Sequence, residues 1–139
     1  MTTTVESIID ALVTLEKTLA GVAAAHDETP ESLNALPAFV NYPGPTESSW
    51  GSFGAIQRTY TIVAELHVAR GELKRAEAVC RPYINKFEAA VYADPTLGGV
   101  VLHVPSIRTR YGQSEWAGQQ FLTVRFEVDC ETIDDPTAE

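Results

Sequence analysis

Residues Ile56 to Val68 read IQRTYTIVAELHV, and the alternation inside this stretch decides the fold class. Arg58, Tyr60, Ile62, Ala64, Leu66 and Val68 fall on one side of an extended chain, with Thr59, Thr61, Val63, Glu65 and His67 on the other. A period of two over this length is a long strand with one buried face. The second face is expected to be exposed, with Val63 on it. Gly71 closes the strand, and Leu73, Ala76, Cys80, Tyr83, Ile84, Phe87 and Val91 follow at helical spacing to about Ala93. Pro82 lies inside that pattern and removes a backbone donor, which predicts a kink or a restart of the helix.

Toward the N-terminus, Thr3 and Glu6 have the spacing of a capping box, and Val5, Ile8, Ile9, Leu12, Leu15, Leu19 and Val22 recur at helical intervals. The spacing predicts an amphipathic helix over residues 4 to 22, with Glu6, Asp10, Glu16 and Lys17 on its solvent face. Ala23 to Leu36 reads as a polar connection broken by Pro30, and Ala38 to Tyr42 as a short strand. Gly44 to Ala55, GPTESSWGSFGA, is rich in Gly and Ser yet carries Trp50 and Phe53. That composition predicts a loop that orders against something, either a partner or this domain's own core.

Toward the C-terminus, Asp94, Pro95, Gly98 and Gly99 mark a sharp connection. Val100, Leu102 and Val104 alternate on even positions, whereas Ile107, Thr109 and Tyr111 fall on odd ones after Pro105 and Ser106. One extra residue reverses which side chains face the core, so a β-bulge is expected there. After a loop containing Gly112 and Gly118, Phe121 to Glu131 is the last strand. Leu122, Val124, Phe126, Val128 and Cys130 point inward and Thr123, Arg125, Glu127, Asp129 and Glu131 outward, paired as a hairpin with the preceding strand.

The order helix, strand, strand, helix, strand, strand defines an α+β fold with a four-stranded, mainly antiparallel sheet and two helices packed on one face. Residues 1–131 are expected to form one domain and 132–139 a short acidic tail. The length of 139 residues, with 45% hydrophobic side chains, suffices for one core and not two. A formal charge of -9 argues against a general basic surface for phosphate backbones. No apolar run approaches the roughly 20 residues that span a bilayer. The stretch LAGVAAA at Leu19 to Ala25 lacks a preceding basic region, and charged residues interrupt what precedes it, so no secretory leader is expected. Cys80 and Cys130 fall on core faces and are expected to be buried reduced thiols in a cytoplasmic protein.

The chain holds no phosphate-binding glycine loop, no nucleophile elbow and no histidine pair at helical metal spacing. Glu65 and His67 share a strand face and could in principle meet His103 around a divalent metal, although polar residues on a solvated or interface face explain them equally. Cys80 lies on an apolar stripe where a thiolate is disfavoured. Asp134 and Asp135 read as a solvated charge run. No catalytic, cofactor or metal site is expected.

The stretch from Cys80 to Val128, CRPYINKFEAAVYADPTLGGVVLHV and then YGQSEWAGQQFLTVRFEV, resembles tail terminator or tail completion proteins of long-tailed bacteriophages. The resemblance rests on the helix ending in Ala93, Asp94, Pro95, Thr96, Leu97, Gly98 and Gly99, the strand after it, the Trp116 to Gly118 turn, and the final strand preceded by Gln119 and Gln120. Tyr60 to Val68 extends it to about two thirds of the chain. It implies a structural virion protein of the neck, made in the host cytoplasm, that forms a homo-oligomer, a hexameric ring, on the last ring of tail tube protein. Such a ring stops polymerisation and meets a head-tail connector protein, while DNA passes through its lumen without specific binding and no membrane is involved. Head closure and other neck connector proteins share the same scale. A small ligand-binding or enzymatic domain, with a pocket at His67, His103 and Tyr111, is the competing expectation.

Six residues are singled out as interface candidates. Trp50 and Phe53 are large rings on a Gly and Ser loop, and Trp116 sits at the turn before the last strand. Arg108 and Arg110 share a face by parity, and Arg125 lies on the outward face of the partner strand, giving a basic patch on an acidic chain. That patch serves either an acidic neighbour or the internal balance of Glu127, Asp129 and Glu131.

Overall fold

Thr4 caps the first helix, α1 (Val5–Lys17), in a computed structural model that describes residues 3–51 and 54–134. Its hydroxyl accepts from the backbone N–H of Ser7 at 3.2 Å, and the Ser7 hydroxyl accepts from the Thr4 N–H at 3.0 Å. The capping box is therefore one residue later than Thr3 and Glu6 suggested, because the Thr3 hydroxyl donates instead to the Val100 carbonyl at 2.9 Å. The helix ends at Lys17 and not near Val22. Thr18 turns its hydroxyl onto the Leu15 carbonyl, and Gly21 takes a positive φ of 87° that leads the chain away. Leu19 and Val22 still pack against the core from this turn, which explains why the helical spacing ran on past the helix.

The chain then forms β1 (Ala24–His26), β2 (Ala38–Trp50) and β3 (Ile56–Ala69). The helix pair α2 (Leu73–Cys80) and α3 (Pro82–Ala93) follows, and β4 (His103–Trp116) and β5 (Gln119–Asp134) complete the order. Arg81 between α2 and α3 keeps right-handed helical angles of -58° and -41°, so the two are one helix broken at Pro82, as its missing N–H requires.

The sheet has five strands in the order β1-β2-β3-β5-β4. Only β1 and β2 pair in parallel, through Ala24 to His26 against Ala38 to Val40, and the other three contacts are antiparallel. The fold is thus α+β with both helical elements on one face, and the sheet has one strand more than the four expected and is mixed. The three residues of β1 had been absorbed into a connection because they carry no alternation long enough to read. In β4, the pairing with β5 slips between His103 and Ser106, where the parity change at Pro105 and Ser106 placed a bulge.

The core lies between the helices and one face of the sheet. It joins Ile8, Ile9, Leu12 and Val13 of α1 and Cys80, Tyr83, Phe87 and Val91 of the second helix pair to the inward faces of β3 and β5. Phe87 stacks on Phe126 at 4.2 Å between ring centroids and on Phe39 at 5.6 Å. Both cysteines are free and buried. Burial pushes the Cys80 thiol up to about 11 and, with Asp129 nearby, the Cys130 thiol up to about 12. Leu97, Gly98 and Gly99 all take positive φ, giving the sharp turn that carries the chain from α3 back to the sheet.

Three expectations change with the fold. Gly44 to Trp50 is not a loop but the outer half of β2, paired with β3 through Thr46 to Trp50 after a slip between Pro43 and Thr46. Gly112 to Trp116 likewise belongs to β4, opposite Thr123 to Gln119. Thr132 to Asp134 continue β5 against Arg58 to Ile56, so ordered strand runs past Glu131, and residues 135–139 lie outside the described ones.

Candidate functional site

The face of the sheet without helices holds most of the singled-out residues, and strand register arranges them in rows. Glu65, Arg125 and Arg110 stand side by side across β3, β5 and β4, the next row is Val63, Glu127 and Arg108, and Thr61, Asp129 and Ser106 follow. Parity had placed the three arginines on this face, and there they are.

Their charges are not equivalent. Arg108 grips Asp129 with two nitrogens at 2.6 and 3.1 Å and lies 3.9 Å from Glu127. Burial alone would lift the Asp129 carboxyl, but hydrogen bonds from Arg108, Thr61 and Ser106 hold it below the usual carboxylate range. Arg125 reaches Glu127 only at 4.0 Å, and its Nε is buried without a partner. Arg110 forms no ion pair among the described residues and faces Arg125 directly, a like-charged cross-strand neighbour. Internal balance therefore accounts for Arg108, and the uncompensated positive charge sits at Arg110, on the edge strand.

Val63 is not exposed as expected; only 1% of it is accessible, between Tyr42 and Glu127 in register. A second, smaller cluster of Leu33, Ala38, Val40 and Phe121 lies on the same face, with Leu36, Tyr42 and Trp116 packed against it. The segment between β1 and β2 thus crosses the sheet on the side opposite the helices. Trp116 fastens it, because its indole N–H donates to the Glu31 carbonyl at 3.2 Å and its ring meets His67 edge-on at 5.2 Å between centroids. Trp116 is half-buried within its own chain.

Beneath Trp116, polar side chains form a connected network. Nδ1 of His67 lies 3.0 Å from the Thr123 hydroxyl, which is 2.5 Å from the Ser114 hydroxyl. Nε2 of His67 lies 3.3 Å from Glu65, and Glu65 accepts from the Tyr42 hydroxyl at 2.6 Å. Burial works to raise the Glu65 carboxyl, yet its bonds from His67 and Tyr42 bring it below its ordinary value. Burial and the bond to Glu65 push the Tyr42 hydroxyl up to about 12. Thr123 and the His67 ring are buried and Ser114 and Tyr42 half-buried, and their mutual contacts brace β2, β3, β5 and β4 beneath Trp116. The position of Thr123 opposite His67, with Ser114 two residues past Gly112, the partner of Thr123, along β4, follows from strand register, which the alternation in each strand taken alone does not reveal.

His103 does not join Glu65 and His67. It pairs with Glu131 at 2.6 Å, and Glu131 lies eight residues along β5 from Thr123, the partner of His67, or about 26 Å at the rise of a strand. No group of His, Cys, Asp or Glu among the described residues could hold a metal ion. The pocket imagined from His67, His103 and Tyr111 does not form either, since Tyr111 lies on the opposite face beside Arg81, 6.0 Å from its ring centroid.

Trp50 is placed at the end of the β2 and β3 hairpin, opposite Ile56, and is 74% exposed. Pro45 to Trp50 are all exposed, and β1 covers only the first three residues of the outer edge of β2. On the other side of the sheet, β4 has an outer edge unpaired among the described residues. Phe53 lies outside the described residues. No helix among the described residues is long and apolar enough to cross a membrane. No family model matches the chain, and neither does any curated protein.

Proposed function

We propose that this protein is a structural subunit of the neck of a long-tailed phage, a tail terminator that forms a hexameric ring on the last ring of tail tube protein and offers the other side of that ring to a head-tail connector. The observation that carries this reading is the outer half of β2, an exposed edge strand that ends in a tryptophan. A large ring held in water by its own chain gains contact area only when a neighbour covers it. The two edges favour a head-to-tail neighbour, since the outer half of β2 and the outer side of β4 lie on opposite sides of one sheet, and a heterologous contact that closes makes a ring. Arg110, uncompensated on the β4 edge of a chain with a charge of -9, favours an acidic neighbour such as a second copy.

The loop punctuation behind the resemblance falls on real turns. Leu97 to Gly99 and the Ala117-Gly118 pair, with φ of 52° and 78°, connect α3, β4 and β5. The acidic balance suits a lumen through which DNA slides without adhering.

Labelling this chain in intact particles and imaging them in projection tests the reading. The label is expected as a ring at the junction of tail tube and neck. A label on the head side of the neck would favour a head closure protein, and a label absent from particles would remove the proposal.

A further inference from the structure

The last turn of α1 carries a carboxyl group where a surface helix should not. Glu16 was expected on the solvent face with Asp10 and Lys17, but it is fully buried, one turn beyond Leu12 and Val13 on the stripe facing the sheet. Its Oε1 accepts from Nδ2 of Asn41 at 2.7 Å, and Asn41 is itself only 1% exposed. The same Nδ2 also donates to the His26 carbonyl at 3.0 Å. Those two acceptors fix which way the amide points, because the reversed amide would set its oxygen against the His26 carbonyl. Two oxygens are then left without partners, Oε2 of Glu16 and Oδ1 of Asn41.

Each of these orphans lacks the same thing, a hydrogen. A carboxylate has none to give, whereas a carboxylic acid has one. We propose that Glu16 is held as a neutral acid whose proton is donated to Asn41, so that a two-bonded acid-amide pair latches the end of α1 to β1 and β2 and opens when the proton is lost. One proton satisfies both orphans and removes an unpaired buried charge at the same time.

The surroundings agree. Burial is the dominant influence on the Glu16 carboxyl and pushes it up to about 8, with the Asn41 bond opposing. On its own helix the nearest charged side chain is Lys17, which is exposed. The element on one side, β1, offers His26, whose carbonyl is already taken by Asn41. Asn41 of β2 faces Ala64 of β3, which has nothing to ionise. Tyr83 of α3 spends its hydroxyl on the Ala20 carbonyl at 2.7 Å, with Lys86 over its ring. None of these groups forms an ion pair with Glu16, so no countercharge replaces the proton.

A carboxyl raised in the folded state binds its proton more tightly there than in the unfolded chain. Its stabilising effect is complete below the ordinary value of 4.5, declines as pH rises, and is lost once pH passes about 8. Over that interval each pH unit multiplies the unfolding constant by up to about tenfold. Glu16→Gln keeps the shape and supplies a permanent donor for Oδ1, so the variant should melt like the parent at pH 4, above it at pH 6 and further above it at pH 9. An independent reading uses the parent chain alone, with isotope-labelled glutamate carboxyls followed by infrared spectroscopy. At pH 6 a carboxyl with the ordinary value is ionised, so a single protonated-acid carbonyl band is expected, absent in Glu16→Gln and lost from the parent above pH 9. No acid band at pH 6, or parallel losses of stability in parent and variant between pH 6 and 9, would overturn the proposal.

Discussion

Asp129 shows what a single side chain does on the helix-free face. It accepts from Arg108, Thr61 and Ser106, which lie on the two strands flanking its own, and so ties β3, β5 and β4 together at one point. Because its carboxyl is depressed in the folded chain, the stability it contributes is present above the ordinary carboxylate range and is lost as pH falls through the folded value. Asp129→Asn should therefore destabilise the protein at pH 7 by about 1 kcal/mol, a modest figure because Arg108 is half exposed. The difference from the parent should shrink below pH 4, as urea titrations at the two pH values would show. A deficit that is the same at both would mean that the ionised carboxylate is not what holds the three strands.

At the scale of elements, the outer half of β2 decides whether the sheet has a free edge. Its residues, Pro43 to Ser49, are poor strand formers, and their strand state comes from pairing with β3 rather than from local preference. Trp50→Ser should weaken assembly while leaving the melting of the single chain within about 0.5 kcal/mol of the parent, since the ring packs on little of its own domain. Arg110→Glu should do the same and make assembly more salt-sensitive, whereas reversal at Arg108 would first break the grip on Asp129. Sedimentation of each variant beside its thermal melt separates the effects. A monomer that unfolds on Trp50→Ser would assign that side chain to the core.

The same elements show how far the sequence could be read. Where alternation ran long, in β3 and β5, the inward faces were legible, and so were the limits of β3 to within a residue, while β5 runs on past Glu131 to Asp134; Pro82 and the parity change at Pro105 located the kink and the bulge. Those signals are local. What depends on a partner elsewhere in the chain was not legible, namely three-residue β1, the outer half of β2 and the end of β4. The arginine rows followed from parity, but the inequality between Arg108 and Arg110 needed the register. Glu16 was assigned to solvent by its charge although its spacing from Leu12 and Val13 puts it on the apolar stripe. The hidden state of Val63 came from its cross-strand neighbours Tyr42 and Glu127, which the alternation within β3 does not reveal.

At the scale of the whole molecule, one helical layer, one sheet and one short covering segment leave two sheet edges and one exposed tryptophan unused. Among the described residues no group of three or more His, Cys, Asp or Glu could hold a metal ion, and the polar networks at His67 and Glu16 lie within the fold rather than in an open pocket. A molecule built this way is suited to being joined to copies of itself, and the neck of a phage tail is where we propose that it acts. The most direct measurement is the length and attachment of tails, imaged in projection, in a phage from which the gene for this chain has been removed. Tails of abnormal length, or tails lying free beside filled heads, are the predicted result. Tails of normal length joined to heads in its absence would contradict the account.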